Sequence, residues 1–192
     1  MVFSIRPGNK TPEHAVENTD SPRPKKARMS RSQVKTMLVC FFNYKGIVHF
    51  EFIAQGQKVN QQCYLEVLKR LWNMFGGKDP DWPDKRILHN DNAPSHDVLR
   101  VREFLAKNYT TKMDHPPYSP ELAPCDFWLY PKFKNALNGQ RFADLSDIKR
   151  NVKTLLRGIP ENDFQDCFRQ WHHRLTKCTA SQGEYFKGDS SR

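Results

Sequence analysis

Residues 115–124 contain four prolines, Pro116, Pro117, Pro120 and Pro124. Proline fixes φ and offers no backbone N–H, so this stretch can be neither regular helix nor sheet ladder. It is a stiff connector, and it divides the chain. Before it, short apolar runs alternate with segments of helical period; after it, every apolar pattern has helical spacing. The order is hairpin, helix, strand, helix, strand and then helices, which predicts an α/β layer with a mixed sheet.

Each element has its own signal. Residues 37–42 are a continuous apolar run whose aromatic content suggests a buried strand. Asn43-Tyr44-Lys45-Gly46 is a turn with Gly46 free to take a positive φ, and residues 47–53 return as the second strand of an antiparallel hairpin. Asn60 caps a helix running to about Phe75, with Tyr64, Leu65, Leu68, Leu71 and Trp72 on its core face and Gly76-Gly77 as its stop. Residues 78–85 are loop. A short strand over 86–90 ends at Asp91. Ser95 or Asp97 caps the next helix, which turns Val98, Val101 and Leu105 inward, and Thr110–Met113 is a further strand.

Beyond the connector, Pro124 suits the first turn of a helix. Asp126 then lies in that turn, where the helix dipole favours an anion. Pro131 threatens a kink, and Gly139 is the expected stop. Asp144 caps a helix over 145–159, Pro160 breaks it, and Phe164, Cys167, Phe168, Trp171, Leu175 and Cys178 mark a last amphipathic helix. Residues from 183 onward read as a frayed tail.

The formal net charge is +10 and the pI about 9.5, a balance that favours a polyanionic partner, nucleic acid above all. Residues 1–35 read as a flexible, proline-rich segment with clustered positive charge at Arg23, Lys25, Lys26, Arg28, Arg31 and Lys35. Three readings stand side by side: a solvated linker, an arm on DNA phosphates, or a nuclear-import signal at Lys25-Lys26-Ala27-Arg28. The domain proper is expected over 36–188, with 189–192 as tail. Five cysteines, odd in number and without C-x-x-C spacing, read as reduced thiols of an intracellular protein. No signal peptide or bilayer-spanning run is visible. His172 and His173 are adjacent, so on a helix they point about 100° apart and make a poor metal pair.

Two aspartates bracket the informative region. Asp91 ends a strand, where open α/β sheets place chemistry, and Asp126 follows the connector, with 34 residues between them. Two carboxylates of this kind suit a divalent metal held against a DNA phosphate. His89, His96 and His115 lie near by sequence and read as structural or phosphate contacts rather than ligands.

Asp91-Asn92-Ala93-Pro94-Ser95-His96, Tyr118-Ser119-Pro120-Glu121-Leu122-Ala123-Pro124 and Asp126 together resemble the mariner branch of the transposase superfamily. Ser21 to Arg28, Gly46-Ile47-Val48-His49 and Gly183-Glu184-Tyr185-Phe186 extend the match over roughly residues 21–188. The same sequence type occurs in the mariner-derived part of a vertebrate histone-lysine methyltransferase fusion. The resemblance implies a ribonuclease-H-like domain that cuts and rejoins DNA with Mg²⁺ or Mn²⁺, in the nucleus, with a homodimer possible. It implies three aspartates, the second matching Asp91 and the third Asp126. The first belongs to a Gly-Asp-Glu motif on the first, central strand, and this sequence has no such motif; Asp20, Glu13 and Glu17 are poorly placed to replace it. The sheet is therefore expected to lack its first strand, Val2-Phe3-Ser4-Ile5 being short for the part. Metal binding is expected to be weak or partial and cleavage impaired, with an inactive DNA-binding or protein-interaction module as the alternative. Glu121 stands where the family more often has Asp.

Overall fold

The computed structural model describes the backbone of Val2–Ile5 and residues 36–74, 86–138, 140, 142 and 144–182. Two small sheets lie among helices, a mixed α/β arrangement. The first sheet is antiparallel, with strands β1 (Val2–Ile5), β2 (Thr36–Asn43) and β3 (Gly46–Ile53) in that order. The second is a parallel pair, β4 (Arg86–His89) with β5 (Thr110–Met113), in the register Arg86↔Thr110 to His89↔Met113.

The hairpin of β2 and β3 forms as its residues demand. Asn43 Oδ1 accepts from the backbone N–H of Lys45 and Gly46 at 2.9 and 3.1 Å, and Gly46 takes φ +150° to close the turn. A bulge between Phe41 and Phe42 shifts the register. Leu38 and Cys40 face one core cluster while Val39 and Phe41 face the other, the period-2 alternation of a strand buried on both sides.

One expectation is corrected. The sheet does not leave the free edge of β2 open, because Val2–Ile5 pairs along it from Val2↔Val39 to Ile5↔Thr36. Four residues suffice, since each antiparallel position adds cross-strand contact to an already buried strand. Among the described residues no ladder joins β1 to β4, so the two sheets remain separate. The remainder of the basic N-terminal segment lies outside the described residues.

Helix α1 (Gln61–Met74) starts where Asn60 Oδ1 accepts from Cys63 N–H at 2.9 Å, and it buries Tyr64, Val67, Leu68 and Leu71. Its expected stop at Gly76-Gly77 lies outside the described residues. Helix α2 (Leu99–Lys107) has no side-chain cap. Ser95 instead sits in a 3₁₀ turn over Pro94–His96, and Asp97 turns outward to Arg102 and Lys112. A bidentate arginine and a lysine offer Asp97 stronger, charge-assisted partners than a backbone N–H does.

Beyond the connector, the kink expected at Pro131 becomes a π turn. Cys125–Leu129 wind with Tyr130 N–H donating to Cys125 O, and only then does α3 (Tyr130–Leu137) begin, with Pro131 in its first turn. There a missing N–H costs nothing. Helix α4 (Leu145–Gly158) is capped by Asp144, whose carboxylate accepts from Asp147 N–H at 2.7 Å, and it buries Ile148, Val152 and Leu156. Helix α5 (Glu161–Ala180) buries Phe164 and Cys167. Gly139 and the tail from 183 lie outside the described residues. All five cysteines are free, and four of them are buried. Among the described residues no helix is long and apolar enough to cross a membrane.

Candidate active site

Asp91 stands two residues past the end of β4, at the mouth of a cavity of about 490 Å³ shared with Thr36, Lys58, Ala93, Ser95 and His96. Its own loop holds it. Ala93 N–H donates to Asp91 Oδ1 at 3.2 Å, and His96 Nδ1 lies 2.7 Å from the same oxygen. That short contact is off the ring N–H direction, so both His96 nitrogens lack an aligned hydrogen-bond partner among the described residues although the ring is 1% exposed. Burial pushes the Asp91 carboxyl up, but His96 and the Ala93 N–H together outweigh it and hold the group down at about 2. His96 is itself wedged in place by Tyr64, ring centroids 4.1 Å apart.

Asp126 lies in the π turn, just after buried Pro124 and Cys125. Its carboxyl is shifted the other way. Burial raises it first and the charge of Asp91 raises it further, while His115 opposes both. The fold has thus brought the charge of Asp91 to bear on a carboxylate separated from it by 34 intervening residues.

The connector that aims Asp126 is fastened from two directions. From one side Asn92 Nδ2 donates to His115 O at 2.8 Å. From the other, α5 supplies Trp171 Nε1–H to Leu122 O at 2.8 Å, and Arg174 to Glu121 O at 3.3 Å. Arg174 also lies over the Phe127 ring, 4.4 Å from its centroid. A file of rings leads from the sheet to the site: Phe42 meets Phe168, Phe168 meets Trp171, and Trp171 meets His89 at 4.9 Å. His89 and His115 close the site, His89 Nε2 lying 3.2 Å from His115 Nδ1. Burial, then His115, lowers the His89 pKa to about 4, so this ring is neutral at physiological pH.

Of the residues singled out from sequence, Asp91 and Asp126 come together. Arg23, Lys25, Lys26, Arg28, Arg31 and Lys35 lie outside the described residues. Trp171 and Arg174 carried no sequence signal for a place at the site, because their partners are backbone carbonyls 49 and 53 residues away. Asp91 and Asp126 are the oxygen donors that could hold a hard divalent cation, whose charge would offset the effect of Asp91 on Asp126. Among the described residues no group of three His, Cys, Asp or Glu side chains is arranged to hold a metal.

A family model described as transposase (partial DDE domain) matches residues 8–84. The solved catalytic domain of Mos1 transposase with Raltegravir and Mn is 31% identical, with a TM-score of 0.73 over 80% of this chain and 78% of that one. The chain belongs to the mariner/Tc1 transposase family. Among its mariner relatives, the Mos1 transposase of Drosophila mauritiana is 28% identical over 97% of this chain and 54% of its own length. The Mos1 mariner paired end complex with Mn aligns with a TM-score of 0.84, at 28% identity, over 97% of this chain and 55% of that one. Human histone-lysine N-methyltransferase SETMAR is 23% identical over 79% of this chain and 22% of the relative. The chain spans about half the length of the Mos1 transposase it matches.

Proposed function

We propose that the chain carries the catalytic domain of a three-aspartate mariner transposase, ribonuclease-H-like in fold, acting on DNA as a metal-dependent endonuclease and strand-transfer enzyme, and impaired in these 192 residues. The observation that carries this reading is the pairing of Asp91 with Asp126. One comes from a strand end and the other from a turn beyond a proline connector, and the charge of Asp91 raises the Asp126 carboxyl. Asp91 and Asp126 are the residues that would hold Mg²⁺ or Mn²⁺, as Mn accompanies the Mos1 complex. When bound, such an ion supplies Lewis acidity toward a phosphate oxygen and an activated water.

The chain's own contribution is position and charge. Asp91 is ionised at every physiological pH. Asp126 shares the site at a cost that a cation or a nearby donor offsets. Neutral His89 adds no positive charge to compete with one. Impairment is inferred from β1, which takes the edge of β2 where the family has its first strand; Val2, Phe3, Ser4 and Ile5 include no carboxylate. The same observation supports the second reading, a domain that keeps DNA binding without cleavage. The basic residues Arg23 to Lys35 supply a phosphate-tracking arm and a nuclear-import run, and SETMAR, a histone-modifying relative by its name, agrees with a nuclear setting. Two copies on DNA are proposed by analogy with the Mos1 paired end complex.

Supercoiled plasmid with Mn²⁺ or Mg²⁺ tests this. No nicking above background is expected from the 192 residues, and nicking is expected once a first strand ending in Gly-Asp-Glu is supplied. Asp91→Ala and Asp126→Ala should each abolish the restored activity. Nicking by the unaltered chain that survives both substitutions would remove the two aspartates from the chemistry.

A further inference from the structure

We infer that α4 is a second DNA-backbone contact, distinct from the N-terminal arm and from the carboxylate pair; this rests on the reading of the chain as a DNA-binding transposase domain. Lys149, Lys153 and Arg157 stand four residues apart, so they form one row along the helix. Lys153 and Arg157 are exposed, and neither has an ion-pair partner among the described residues. Lys149 lies over the Phe52 ring of β3, 5.6 Å from its centroid. The row continues beyond the helix, because Arg157 and Lys45 line one cavity of about 420 Å³. Lys45 sits at the tip of the β2–β3 turn beside exposed Tyr44, 5.9 Å from its ring centroid. The nearest acids are already engaged: Asp147 pairs with Arg150, and Asp144 caps the helix.

Like charges at four-residue spacing destabilise a helix, so this row is a cost that a polyanion relieves. The partner is a straight backbone rather than a lipid surface. The apolar face of α4, Ile148, Val152 and Leu156, is packed in the core and cannot insert into a membrane. Four residues of helix rise about 6 Å, comparable to the spacing of neighbouring phosphates along one DNA strand. Each cation therefore meets its own phosphate, in a contact indifferent to base sequence.

The test is the salt dependence of binding to a 30-base-pair duplex by the full chain. Replacing Lys149, Lys153 and Arg157 by Gln should flatten the log–log slope by roughly 2.7, about 0.9 for each lost phosphate contact. Between 50 and 200 mM salt that is roughly a 40-fold smaller loss of affinity. A control replaces Arg100, Lys107 and Lys134, exposed cations on other helices, by Gln. It removes the same charge and should flatten the slope by less than about one contact. Equal flattening by the two variants, or an unchanged slope for the α4 variant while Lys25, Lys26 and Arg28 to Ala flattens it, overturns the α4 contact and leaves DNA binding standing. No duplex binding by the unaltered chain overturns both. Circular dichroism checks the fold; should the triple variant not fold, the three single substitutions each read about 0.9.

Discussion

Asp91 is held by residues no more than five positions away, Ala93 and His96, whereas the connector before Asp126 is pinned by α5 residues 49 and 53 positions from their partners. The two carboxylates share one site but not one kind of support. Local support survives while β4 and its loop survive. Distant support depends on α5 staying docked. The charges differ accordingly: His96 beside Asp91 keeps that group ionised, while Asp126 has burial and Asp91 against it, with His115 opposing them. The site therefore has a firmly charged half and a half whose aim and charge depend on tertiary packing.

The largest blow to this contrast should come from Trp171→Ala. It removes the N–H that Leu122 O accepts and the ring between Phe168 and His89. A loss of about 3 kcal/mol in denaturant unfolding is expected, the low end for deleting a large aromatic side chain. In carbon-detected NMR titration the Asp126 carboxyl should move and the Asp91 carboxyl should not. Equal movement of both would erase the distinction between local and distant support.

His96→Ala probes the other half. Stability should fall by about 2 kcal/mol, since a fully buried ring packed on Tyr64 is lost. The Asp91 carboxyl should titrate at higher pH than in the unaltered chain, with α5 contacts intact. An unchanged Asp91 titration would show that the Ala93 N–H alone holds it down.

The smallest effect sharpens the comparison at a third, exposed carboxylate. Asp97 joins α2 to β5 through Arg102 and Lys112, and their hydrogen bonds depress its pKa below the usual carboxylate range. A depressed acid stabilises the fold fully above its unfolded pKa of about 3.9, and that contribution fades as pH falls toward the folded value. Asp97→Asn should therefore lower Tm slightly at pH 6. The gap should narrow below about pH 4 and shrink in high salt, because the group is open to solvent. A gap that widens in acid would contradict the sign.

What was legible in the sequence were features whose partners lie close along the chain. The Asn43 turn, the Asn60 and Asp144 caps and the helical face of Val101 and Leu105 are decided within a few residues, and they form as read. The caps assigned to Ser95 or Asp97 were misread, because Arg102 and Lys112 compete for Asp97 more strongly than a backbone donor. Strand β1 carries little pattern in its four residues alone; its pairing partner is β2, more than thirty residues on. The two aspartates were visible by spacing and resemblance. Their unequal surroundings were not, since His115, Trp171 and Arg174 meet the site only after the connector has folded back.

The π turn before α3 has a geometric consequence. It holds one residue more per turn than an α-helix, and it stands between Asp126 and the core anchors Phe133 and Leu137. Each helical residue advances the chain by about 100°. Deleting one residue between Phe127 and Leu129 would let the segment wind as plain α-helix with Asp126 kept close to its bearing on those anchors, because the widened turn absorbs the extra residue with little net rotation. The turn is one residue of slack built into the chain: removing that residue spares the aim of Asp126, whereas a further residue inserted in α3 before Phe133 would swing it by about 100° with every side chain at the site retained.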